Sequence, residues 1–82
     1  MRTRQQALGE RNIAGVRVEQ RRRELNMKQK DLLTLLQISG IDLTASGLSK
    51  LEGQVRSVTD IELKALACAL EVSVAWLLQM EE

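Results

Sequence analysis

The chain predicts an all-α domain of five short helices, and three observations carry that expectation. None of the 82 residues is proline and only one is aromatic. Apolar residues recur at three- and four-residue spacing nearly throughout, with no sustained alternation that would mark a strand. Ser, Thr, Asn and Gly fall where helices start and stop. One compact domain is what this length allows, and 44% hydrophobic residues can supply its core. Residues 1–11 read as a flexible basic arm, and residues 12–82 as the single domain.

The first helix is expected from Asn12, a plausible N-cap, to Leu25, with Ile13, Val16 and Val18 as its apolar side and Asn26 as its stop. The second runs from Gln29 to about Ile38 with Leu32, Leu35 and Leu36 on one face. Gly40 ends it, and Ile41–Asp42–Leu43 form a connecting turn. Thr44 caps a short third helix to about Glu52 that turns Leu48 and Leu51 inward and stops at Gly53. Thr59 with Glu62 three residues on is an S/T-x-x-E capping box, opening a fourth helix through Ile61, Leu63, Leu66, Ala67 and Leu70. Ser73 caps a final helix from Val74 to about Met80. Cys68, between Ala67 and Ala69, reads as a small buried hydrophobe.

Composition removes several function classes. With no His, no Tyr and one Cys, the commonest general base and the Ser-His and Cys-His nucleophile arrangements are absent. Zinc sites of the usual Cys/His kind go with them. No catalytic residue, cofactor or metal is expected. A chain this small would also have to open a substrate cavity in its own core. The longest apolar-leaning stretch, Leu32 to Ile41, is too short to span a bilayer. No apolar run follows Met1–Gln6, so neither a secretory signal nor a membrane partner is expected. A lone Cys forms no intramolecular disulfide, which suits a reducing cytoplasm or carries no information.

The net charge of +1 conceals a segregation. Residues 1–56 hold eleven Lys/Arg and six Asp/Glu, a net of +5, whereas residues 57–82 hold one Lys and five acids, a net of −4. The basic part suits a polyanion, and the acidic part suits solvent or another protein.

Met27-Lys28-Gln29-Lys30-Asp31-Leu32-Leu33, a turn, and then Thr44-Ala45-Ser46-Gly47-Leu48-Ser49-Lys50-Leu51-Glu52-Gly53 together resemble a helix-turn-helix. The pattern is that of the Cro/CI repressor-like family, also called the xenobiotic-response-element family. The resemblance reaches upstream to Gly15, Arg17, Val18 and Arg22. Downstream it takes in Ala65 to Ser73 and Trp76-Leu77-Leu78, so that residues 12 to 80 are covered. Ser39-Gly40-Ile41-Asp42 make the turn longer than usual, as in a long-turn subgroup. Lys28 replaces the usual Thr/Ser cap, and Glu71 stands where a helix-ending Gly is common.

The resemblance implies a lambda-repressor-like fold in which helices two and three bind double-stranded DNA as a small homodimeric transcriptional regulator of repressor type. In that family the first helical positions and the one four residues later read bases, which here are Ala45, Ser46 and Lys50; Ser49 shares their outer face. Ala45 can meet only a thymine methyl, Ser46 donates and accepts promiscuously, and Lys50 prefers guanine or a phosphate. Readout this sparse leaves a share of specificity to DNA shape. Gln29 matches a residue that reaches a phosphate and braces helix three. Lys28, Lys30, Thr44, Gln54 and Arg56 flank the same face as candidates for the DNA backbone, each of them also readable as an ordinary surface residue. Arg2 and Arg4 are candidates for a minor-groove arm. Arg22 and Glu52 are implied to pair beneath the DNA face.

The last expected helix carries two apolar stripes. Val74, Leu77 and Leu78 suit the core; Trp76 and Met80 point elsewhere and suit a dimer interface, the simpler reading being that Trp76 folds over a loose edge of the core. A protein-interaction module or antitoxin on the same fold, with some other protein partner, is the alternative reading.

Overall fold

Leucines build the centre of this domain: Leu32, Leu36, Leu48, Leu51, Leu66, Leu70 and Leu77 are all but inaccessible to solvent, together with Val18. They come from five helices in a computed structural model that describes residues 8–82. The helices are α1 (Gly15–Glu24), α2 (Gln29–Ile38), α3 (Ala45–Glu52), α4 (Asp60–Leu70) and α5 (Val74–Leu77), and no strand occurs among the described residues. The all-α expectation is met. α1 packs on α3, α4 and α5, while α2 packs on α3 and α4.

α1 begins two residues later than expected, with Ala14 rather than Asn12 at its N-cap. Asn12 still serves its start, because Asn12 Oδ1 accepts the Gly15 N–H at 2.7 Å. The apolar side is a correction: Ile13 and Val16 are 53% and 37% exposed, and Ala14, Gly15, Val18 and Arg22 face inward instead. The cause is contact with α3. A Cβ on Gly15 would lie 2.1 Å from the Leu51 carbonyl oxygen, so α1 presents its smallest residue there and turns Ile13 and Val16 outward. Asn26 ends the helix in the left-handed region at φ 54°, and the Met27 N–H returns to the Arg22 carbonyl.

α2 runs as expected. The Lys28 side chain has no acceptor, and the Asp31 carboxylate accepts the Lys28 backbone N–H at 2.9 Å in its stead, placing a negative charge in the first turn. Leu32 and Leu36 are buried while Leu35 lies at the rim. Gly40, at φ 86°, reverses the chain. Thr44 and Thr59 cap α3 and α4 as expected, the latter with the full capping box to Glu62. Cys68 is exposed, which corrects the expected burial: the inner face of α4 is Leu66, Ala67 and Leu70, and Cys68 lies off it. Glu71 ends α4 in the left-handed region at φ 58° without a glycine.

α5 stops at Leu77, short of Met80. Gln79 turns left-handed at φ 62°, and the Met80 N–H bonds back to the Ala75 carbonyl. Leu77 is buried, but Val74 is 37% exposed, so the expected core stripe reduces to its centre. No helix among the described residues is long and apolar enough to cross a membrane.

Candidate nucleic-acid interface

α3 is held rigidly from beneath. The Arg22 guanidinium donates from Nε to Glu52 Oε2 at 2.7 Å and from Nη2 to Oε1 at 3.1 Å, a two-pronged pair buried on both sides. Its remaining nitrogen, Nη1, donates to the Met27 carbonyl at 2.9 Å. Gln29 continues the network: its Nε2 donates to Glu52 Oε1 at 2.9 Å, and its Oε1 accepts the Ser49 hydroxyl at 3.3 Å. α1, α2 and α3 are thereby joined through one carboxylate. The sequence-implied pair is present, and Gln29 braces α3 as implied, through Ser49 and Glu52.

The C-terminal end of α3 is clamped as well. Asn12 Nδ2 donates to the carbonyls of Leu51 and Arg56 at 3.1 and 2.7 Å. Backbone N–H groups of Gly9 and Arg11 donate to the carbonyls of Gly53 and Gln54, both at 2.8 Å. These bonds tie the last turn of α3 and the loop after it to the segment that precedes α1. Gly9 permits the approach, since a Cβ there would meet the Gln54 carbonyl oxygen at 2.4 Å. Gly9 and Arg11 of the expected flexible arm are therefore bonded to the domain through their backbone. Arg2 and Arg4 lie outside the described residues.

With its far end fixed, α3 turns its first residues outward. Thr44, Ala45, Ser46, Ser49 and Lys50 are exposed. Thr44 Oγ1 accepts the Gly47 N–H at 2.9 Å, which leaves its hydroxyl proton available to an outside acceptor. Lys28 and Lys30 stand exposed at the start of α2. No ion pair engages Lys28, Lys30 or Lys50 among the described residues.

The arginines behave differently. Arg17 lies over the Trp76 ring, 4.7 Å from its centroid, and donates to the carbonyls of Trp76 and Glu81. Arg21 donates to the Leu70 carbonyl, Arg23 pairs with Glu19, and Arg22 is buried. Arg56, expected at the DNA backbone, turns to Glu62 at 3.0 Å with Nη1 enclosed and unpartnered. Gln54, expected beside it, donates to the Asn12 carbonyl at 2.6 Å. Both are drawn inward by acceptors that a linear pattern does not reveal. Arg11 is the residue the sequence reading missed: its backbone is fixed to Gln54 while its side chain is exposed and makes no ion pair among the described residues. Its assignment to a flexible arm concealed it.

Trp76 and Met80 do not share a helix face, because α5 ends between them. Trp76 is half-buried against the core beneath Arg17, and Met80 is 75% exposed. The stripe that suggested a C-terminal dimer interface is thus absent. No group of three His, Cys, Asp or Glu among the described residues could hold a metal ion. No family model matches the chain, and no curated protein matches it.

Proposed function

We propose that this chain is a DNA-binding protein of the Cro/CI repressor-like type, which inserts α3 into the major groove of double-stranded DNA. The observation that carries the reading is the sorting of cations. Every described arginine except Arg11 is committed to an internal partner, while Lys28, Lys30 and Lys50, on the two helices of the helix-turn-helix, make no ion pair among the described residues. Free lysines beside an exposed small-residue helix end suit phosphates and base edges respectively.

In this reading Ala45, Ser46 and Lys50 meet bases, with Ser49 contributing from its place beside Gln29. Lys28, Lys30, Thr44 and Arg11 meet the DNA backbone. Two such domains in a homodimer would read half-sites about 34 Å apart, and occupancy of a promoter would repress it. Such a regulator works in the cytoplasm and needs no catalytic group or cofactor. The alternative, a protein-interaction module or antitoxin, draws on the exposed Ile38 and Ile61. A gel shift against genomic and random duplexes at graded salt tests the choice. Salt-sensitive binding with enrichment of particular genomic fragments supports the DNA reading; absence of any shift at low salt contradicts it.

A further inference from the structure

Features that the DNA reading leaves unused converge on one place. Ser39 and Ile41 of the turn after α2 form one wall of a groove of about 280 Å³, and Ile61, Lys64, Ala65 and Cys68 of α4 form the other. Ile61 in its wall is 67% exposed, and Ile38, which precedes Ser39 in the chain, is 78% exposed. A single copy of the chain has nothing to cover them.

The charges of the same face are also unused. Among the described residues Lys64 makes no ion pair or hydrogen bond with another side chain, although Asp60 precedes it by one turn of α4, and neither Asp60 nor Asp42 is in an ion pair. Knob, hole, cation and anion side by side form a surface complementary to itself under a twofold rotation.

We propose that this α2–α4 face binds a second copy of the chain, with the two α4 helices antiparallel across the twofold axis. Residues at equal distances on either side of the axis then meet. Ile61 of each copy enters the groove of the other, where the small Ala65 leaves room for it, and Lys64 of each copy pairs with Asp60 of the other. The face contains none of Lys28, Lys30, Ala45, Ser46, Ser49 or Lys50, so α3 stays free in both copies. The inference rests on the DNA reading only for that last requirement. Self-association is measured without DNA, so the two fail separately.

Sedimentation equilibrium of the full chain tests it. The wild type should approach twice 9.2 kDa. Ile61→Asp should weaken the dimer by about thirtyfold or more, with circular dichroism unchanged because the residue is exposed. Lys64→Asp should weaken it too, and the swap Asp60→Lys with Lys64→Asp should recover it. Met80→Glu should leave it intact. A wild-type monomer at every concentration, an Ile61→Asp dimer as tight as the wild type, or a swap that fails to recover the Lys64→Asp loss would each overturn the proposal. So would loss of the dimer in Met80→Glu alone.

Discussion

Arg22 and Glu52, thirty residues apart, meet through two parallel N–H···O bonds in the interior, with 8% and 1% of their side chains exposed. Glu52 also accepts from Gln29. Removing the carboxylate strands a buried guanidinium, so Glu52→Ala should cost about 3–5 kcal/mol. The double replacement Arg22→Met with Glu52→Leu should cost markedly less, since no charge is left unpaired. Urea denaturation of the two variants gives the comparison; equal losses would show that the pair itself, not the stranded charge, carries the energy.

Gly15→Ala reverses the usual sign of a glycine replacement. In an open helix, alanine gains about 1 kcal/mol over glycine. Here the new Cβ would fall 2.1 Å from the Leu51 carbonyl oxygen, which is backbone and cannot swing away. α1 must then separate from α3, and a net loss on the order of 2 kcal/mol is expected in thermal or urea unfolding. Since the displaced helix is α3, DNA affinity should fall with stability.

Glu62 links stability to pH. Burial raises its carboxyl, but the Thr59 backbone N–H and the Arg56 guanidinium outweigh burial and hold it below its ordinary value of 4.5. A folded-state value below the unfolded one means that the unfolded chain binds more protons in this window. The stabilisation is complete above the unfolded value and disappears as pH falls through the folded one. Glu62→Gln should therefore destabilise by about 1 kcal/mol at pH 7. The gap to wild type should close below roughly pH 4. A gap independent of pH would contradict the assignment.

Much of this was legible before any coordinates, and for local reasons. Gly40, Thr44, Gly53 and the Thr59–Glu62 box punctuate the chain so sharply that α2, α3 and α4 lie where the sequence placed them. The faces of α1 were not legible. Ile13 and Val16 look like core residues, and only the approach of Gly15 to Leu51 turns them outward. The end of α5 was hidden too, because no glycine marks the left-handed Gln79. Counting charges located a basic half, but it could not separate arginines tied to carbonyls and carboxylates from lysines left free. Those partners are brought together only by the fold.

Base reading should depend on α3 residues that have no structural duty. Ser46 and Lys50 are exposed and make no side-chain bond within the domain. Ser46→Ala and Lys50→Ala should each keep the wild-type fold and shift the preferred sequences recovered by selection from a random duplex library, at about 1–3 kcal/mol per altered contact. Unchanged preferences in both variants would remove α3 from the role of reader.

The central claim is that the free lysines of α2 and α3 face DNA, and the salt dependence of binding tests it most directly. Fluorescence anisotropy of a labelled duplex is titrated with wild type and with the Lys28→Ala, Lys30→Ala, Lys50→Ala triple variant over a series of salt concentrations. Each phosphate contact adds about 0.9 to the slope of log affinity against log salt. The slope should therefore fall by roughly 2 for each bound copy of the chain, through the loss of Lys28 and Lys30, in the triple variant. A triple variant with the wild-type slope, or a wild-type chain that does not bind DNA at low salt, would contradict the account.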